Sequence, residues 1–216
     1  MIERVKVIST GSKGNAVVID KNIMVDCGVS FNKLRGVYKD LQLILLTHIH
    51  CDHFNKTTIK ILTKERPTLR FACCKWLVQD LVYAGVSLKN IDLLEPNKKY
   101  KYSDKLEIVP VGLYHNVDNC GYKIKLNGKR IFYATDTYCL NGIKAPNYDL
   151  YLVEANYTEE DIKQRIQAKL EANKYIYEYQ AMENHMSKER IDKWLLNNMG
   201  DSSEVMYLHR HIESEE

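Results

Sequence analysis

Short apolar runs separated by Gly, Asn and Pro recur along the whole chain, and helical periodicity appears only between some of them. Residues 2–8 alternate and predict a strand; the runs 16–20 and 23–26, joined by Lys21 and Asn22, predict two more. The run 43–46 has the length and composition of a buried strand. Residues 55–64 read as a helix that Pro67 stops. The stretch 73–84 sets Trp76, Leu77, Leu81 and Val82 at helical spacing before Gly85 ends it. Strands follow at 91–94 and 106–113, with the lysine-rich stretch 98–101 as a solvated loop. Residues 120–126 and 129–134 form a hairpin on Asn127 and Gly128, a pair that favours the tight primed turn. A strand over 148–153 leads to a helix that Thr158 opens, with Asp161 three positions on. Ser187 caps a last helix over 188–199, Gly200 ends it, and 205–208 is a final short strand.

Length and composition narrow the class without naming a chemistry. The 216 residues are expected to form one domain, 1–216, with a substantial core. A hydrophobic share of 45% with 27% charged residues is ordinary for a soluble globular protein. The net charge of +3 permits an anionic substrate but does not argue for one. No run of ~18 apolar residues exists to span a membrane, and the start of the chain lacks a signal-peptide apolar region, so a cytoplasmic location is expected. The six cysteines form no C-x-x-C pair, which in a reducing compartment implies free thiols.

The candidate chemistry begins directly after the run 43–46. His48 and His50 are two apart and leave one face of an extended segment, and Asp52 and His53 then open what reads as a helix. Three imidazoles and one carboxylate thus reach one strand end, and these are ligands for zinc, iron or manganese. All seven histidines fall in or beside such places: His115 follows the strand 106–113, His185 precedes the cap at Ser187, and His209 and His211 follow the last strand. Carboxylates hold equivalent positions. Asp26 ends an apolar strand, Asp136 follows the hairpin, and Glu154 ends the strand after it. Other groups carry two readings each. The Gly/Ser turn 9–15 is a plain hairpin turn or a set of amides facing a phosphate. Lys163, Arg165 and Lys169 make a solvated helix surface or a nucleic-acid face. Tyr175, Tyr177 and Tyr179 alternate as aromatic packing or as a platform for bases.

The order H-x-H-x-D-H at 48–53 resembles the signature of the metallo-β-lactamase-fold hydrolases. Within them the G-S-x-G-N turn at 11–15 resembles the short YycJ/WalJ-like exonucleases, and Glu154-Ala155-Asn156 resembles a segment of ribonuclease Z-like nucleases. The resemblance runs from Gly11 to His209. It implies an α/β or α+β fold, a four-layer αβ/βα sandwich of two mixed β-sheets flanked by helices. It also implies two divalent ions, Zn2+ or Mn2+. His48, His50 and His115 would hold one, Asp52, His53 and His209 the other, and Asp136 would bridge. Asp26 would orient a ligand histidine from below. His209 takes the last ligand position, although His211 stands where that motif expects serine, which leaves two candidates. A hydroxide bridging the ions would attack, with Asp52 in the catalytic set and His185 paired with Glu154 to protonate the leaving group. The implied function is a phosphodiesterase or nuclease on DNA or RNA; the alternative is hydrolysis of a small thioester, lactone or lactam on the same site. A closed structural metal module would have no use for open metal positions and a proton donor.

Overall fold

The uniformly apolar runs become strands buried on both faces. In the computed structural model, which describes residues 5–209, the chain forms two compact units, one ending at Tyr100 and the other starting at Lys101. The first unit holds a six-stranded sheet in the order β1 (Val5–Ser9), β2 (Ala16–Ile19), β3 (Ile23–Val25), β4 (Leu43–Leu45), β5 (Arg70–Cys74) and β6 (Ile91–Leu94). Its first three strands pair antiparallel and the rest parallel. Every residue of β2, β3 and β4 is buried, which explains runs without alternation. The connections after β3, β4 and β5 carry α1 (Phe31–Leu34), α2 (Lys56–Glu65) and α3 (Val78–Tyr83). Ile59 and Leu62 of α2 share one core with Ile44, Leu46, Phe71 and Leu81.

The second unit contains the other mixed sheet, ordered β12-β11-β10-β9-β8-β7. Its strands are β7 (Tyr100–Lys101), β8 (Leu106–Leu113), β9 (Asn119–Leu126), β10 (Lys129–Ala134), β11 (Leu150–Glu154) and β12 (Glu204–Leu208). β8, β9 and β10 pair antiparallel, and β10, β11 and β12 run parallel. Between β11 and β12 lie α4 (Glu159–Glu171), α5 (Glu178–Asn184) and α6 (Lys188–Leu196). The core of this unit joins Phe132, Tyr151 and Val153 to Ile191 and Leu195, and Phe132 stacks on Trp194 at 5.1 Å between ring centres. Two mixed sheets flanked by helices are the class the sequence leads one to expect. No helix among the described residues is long and apolar enough to cross a membrane.

Four expected elements differ. The stretch 73–84 is not one helix: Cys73 and Cys74 close the strand β5, a 3-10 turn follows, and only Val78–Tyr83 is α-helical. An apolar run buried in a parallel sheet looks the same as one face of a buried helix. Asp52 and His53 do not open a helix either. They sit in a turn, and α2 starts at Lys56, where the Asn55 side chain accepts the Thr58 amide at 2.9 Å. The lysine-rich loop contains the two-residue strand β7. Tyr175, Tyr177 and Tyr179, expected to pack, are all exposed; Lys169 Nζ lies 3.4 Å from the Tyr177 ring centre, and Tyr179 is in α5.

Parallel strands bring their carboxyl ends to one edge of a sheet, the usual place for a binding site. β3 and β4 do this in the first unit; β8, β10, β11 and β12, which run in one direction, do it in the second. The turn after β4 is pressed against the chain after β3. Cys27 and Phe54 form a parallel bridge, and Gly28 N donates to Asn15 O at 2.9 Å. A Cβ on Gly28 would stand 1.6 Å from the Asp52 carbonyl oxygen, so only glycine fits. Gly28→Ala is expected to cost about 3 kcal/mol or more, because backbone rather than a side chain must move. Urea unfolding measures it, and a loss below about 0.5 kcal/mol, the range of ordinary surface changes, would contradict this close approach.

Candidate metal centre

In the first unit one buried carboxylate organises the histidine cluster. Asp26 Oδ1 accepts from both Thr47 N (3.0 Å) and Thr47 Oγ1 (2.8 Å), while Oδ2 accepts from His53 Nδ1 at 2.7 Å. With the Thr47 hydroxyl proton directed at the carboxylate, Thr47 Oγ1 is left to accept from His48 Nδ1, 2.9 Å away. Asp26 therefore sets the tautomer of two imidazoles, one directly and one through Thr47, and leaves Nε2 of each with its lone pair. His48 Nε2 faces His50 Nδ1 at 3.2 Å. Ligand atoms held at ~2.0–2.1 Å by a tetrahedral ion stand about 3.3 Å apart, so this pair has a chelating separation. Asp52 Oδ2 lies 3.6 Å from His53 Nε2. The Asn15 amide donates to Asp52 O (3.1 Å) and lies 2.8 Å from His53 Nε2, and Asn15 N donates to Asp52 O at 2.6 Å.

In the second unit the organiser is Glu154, 1% exposed. Its Oε1 accepts from Thr137 N (2.8 Å) and Met186 N (3.1 Å), and its Oε2 from Asp136 N (3.1 Å) and His185 Nδ1 (3.0 Å). These bonds tie the ends of β10 and β11 to the segment entering α6. Asp136, Glu154, His185 and His209 each bring a possible ligand atom within 4.8 Å of the others. Asp136 Oδ1 is 3.3 Å from His209 Nε2, again a chelating separation, and 3.6 Å from His185 Nδ1. Asn156 Nδ2 lies 2.9 Å from His209 Nδ1. A donated bond there puts the His209 proton on Nε2, toward Asp136; holding a cation through Nε2 as neutral imidazole would instead place that proton on Nδ1. His115 Nδ1 donates to Asn184 O at 3.2 Å, which leaves Nε2 as its acceptor.

Three of these residues hold left-handed backbone: Asp26 (φ +61°), Asp136 (φ +56°) and His209 (φ +50°). Such conformations cost of order 1–3 kcal/mol each in non-glycine residues and gather at functional sites. Asn119 offsets part of that cost at Asp136 by donating to the carbonyls of Thr135 (3.2 Å) and Asp136 (2.7 Å).

Each expected residue can now be placed. His48, His50, Asp52 and His53 gather in the first unit around Asp26; Asp136, Glu154, His185 and His209 gather in the second, and His115 packs its ring 5.4 Å from that of His185. Arg210 and His211, the other candidate for the last ligand, lie outside the described residues. Cys51 is exposed, whereas burial pushes the Cys27 thiol far up and Cys73 up to about 12. The Gly/Ser turn does not offer its Gly11, Gly14 and Asn15 amides to a ligand, because they bond Asn15 Oδ1, Gly11 O and Asp52 O. Of the basic residues on α4, Arg165 pairs with Asp161 (3.1 Å) and Lys169 with Glu178 (2.7 Å). Asn15, Thr47 and Asn156 carry positioning roles that sequence reasoning missed. The only signal was their adjacency to the motifs G-S-K-G-N, H-x-H-x-D-H and E-A-N.

The sequence model described as "Beta-lactamase superfamily domain" matches residues 21–196. The chain belongs to that superfamily. Exodeoxyribonuclease WalJ of Streptococcus pneumoniae is 25% identical over 94% of this chain and 79% of its own length. A UPF0173 metal-dependent hydrolase of Pyrococcus furiosus is 27% identical over 62% of each chain, so the match spans less than two thirds of that relative. The solved structure of the metallo-β-lactamase-fold protein YhfI from Bacillus subtilis superposes with a TM-score of 0.68, covering 97% of this chain and 87% of its own at 17% identity. The superfamily member described here thus has the metallo-β-lactamase fold, belongs to a family of metal-dependent hydrolases, and carries histidine and aspartate clusters that can hold metal. Replacing Asp26 with Asn keeps the Thr47 contacts but removes the charge facing His53. Asp26→Asn is expected to weaken metal binding about 10- to 100-fold while the protein stays folded. A chelator competition titration reads this, and unchanged affinity would contradict the orienting role of Asp26.

Proposed function

We propose that this chain is a dinuclear-metal phosphodiesterase that cleaves nucleic acid, DNA or RNA. The ligand roles follow the motif order: His48, His50 and His115 for one ion, Asp52, His53 and His209 for the other, Asp136 shared. Two divalent ions, zinc or manganese, would supply an activated water near neutral pH and would neutralise charge on the non-bridging phosphate oxygens.

The observation that carries the reading is the His185–Glu154 pair. Glu154 accepts from His185 Nδ1 at 3.0 Å and is itself fixed by three backbone amides, so the imidazole has one orientation. Its ring stays 17% exposed, open to a substrate atom. With Nδ1 taken up by Glu154, Nε2 is the ring nitrogen that would hand a proton to a leaving oxygen. A sugar alkoxide leaving from a phosphodiester requires that proton, whereas a thiolate from a thioester does not. The relative WalJ, an exodeoxyribonuclease by name over nearly the whole of this chain, supports the same substrate class.

Bis-p-nitrophenyl phosphate, single-stranded DNA, RNA, nitrocefin and a thioester, assayed side by side with added zinc or manganese, test the choice. Cleavage of the phosphodiesters is expected; turnover of the thioester or lactam alone would contradict it. His185→Ala is expected to slow strand cleavage by ~10²–10⁴ and to slow p-nitrophenyl ester cleavage much less, since p-nitrophenolate departs without a proton. Equal losses on both substrates, or loss of bound metal, would overturn the role given to His185.

A further inference from the structure

Beside the carboxylates and imidazoles of the second unit stand two exposed aromatic rings that the mechanism above leaves unused. Tyr114 directly precedes His115 and is 52% exposed; Tyr138 lies two residues beyond Asp136 and is 45% exposed. Scattered surface aromatics are common and need no explanation, but these two are fastened to the candidate site. Tyr138 N donates to Tyr114 O at 2.7 Å, Tyr114 N donates to Thr137 Oγ1 at 3.1 Å, and Thr137 N donates to Glu154 Oε1 at 2.8 Å. The carboxylate that faces His185 therefore also sets the backbone carrying both rings.

Arg190, in the first turn of α6, adds a second constraint. Its guanidinium carbon lies 4.5 Å from the centre of the Tyr138 ring. A stacked guanidinium holds the ring in one orientation through the attraction between cation and π face. With nearly half its surface open, the ring keeps room for another planar group. Tyr138 is two positions from Asp136, a span of at most about 7 Å, within reach of a base attached to a phosphate at Asp136.

We infer that Tyr138, held by Arg190 and flanked by Tyr114, is a stacking platform for the nucleobase next to the phosphate being cleaved. This rests on the nuclease reading above and deepens it. A base inside a duplex already stacks on its neighbours, so a platform of this kind selects a single strand or a frayed end. Aromatic stacking tolerates every base, and the platform gives strand selectivity without sequence selectivity.

The test compares a single-stranded oligonucleotide with one that lacks the base at the cleaved nucleotide, the cleavage position having been mapped with the wild-type protein. Tyr138→Ala is expected to lower kcat/KM about tenfold on the intact strand, mainly through KM, and much less on the abasic strand, because the two changes remove one contact. Tyr138→Trp is expected to restore cleavage of the intact strand. An equal loss on both strands, or no loss on either, overturns the platform while wild-type cleavage leaves the nuclease reading standing. Wild-type protein that cleaves no nucleic acid at all sinks that reading instead, and the platform with it.

Discussion

One fully buried carboxylate, Asp26, sets the terms for the first unit. Burying an ionised group is costly unless donors surround it, and here three come from two neighbouring segments: Thr47 N, Thr47 Oγ1 and His53 Nδ1. Satisfying Asp26 pins the end of β4 against the end of β3 and orients His48 and His53 at the same time. The geometry has a conformational cost, because Asp26 adopts a left-handed backbone at the strand end. Its own amide still finds an acceptor, the carbonyl of Leu45 at 2.8 Å. A stability requirement and a chemical requirement thus converge on one side chain.

Glu154 does the equivalent work in the second unit with a different donor set. Three backbone amides and one imidazole surround it, drawn from the end of β10 and from the segment between α5 and α6. Asp26 is buried behind histidines with metal-ligand spacing, whereas Glu154 faces a histidine with access to solvent. The first arrangement leaves imidazole lone pairs facing a cluster that could hold metal; the second holds a partly exposed imidazole in one orientation. Two carboxylates of similar burial thus fix their histidines in different surroundings.

Much of this was legible in the sequence, for identifiable reasons. Buried parallel strands read as uniform apolar runs, and the candidate residues follow directly after them, so His48, Asp136 and Glu154 could be assigned to strand ends without coordinates. Caps were visible because they act over three positions: Thr158 accepts Asp161 N at 3.1 Å and Ser187 accepts Arg190 N at 3.2 Å. The strand β5 was hidden, since Phe71 to Cys74 is too short and too apolar to separate strand from helix by period. Asn15 was hidden for another reason. Its contacts to Asp52 and His53 cross 37 and 38 positions of sequence, and no local pattern records such a distance. The same holds for Asn156 and His209, 53 positions apart.

The account stands or falls on whether these oriented groups hold cations. Metal content per chain, measured by elemental mass spectrometry after reconstitution with zinc or manganese and removal of excess ion, tests that most directly. Two divalent ions per chain are the predicted result. Protein that retains none under those conditions, while still folded, would contradict it.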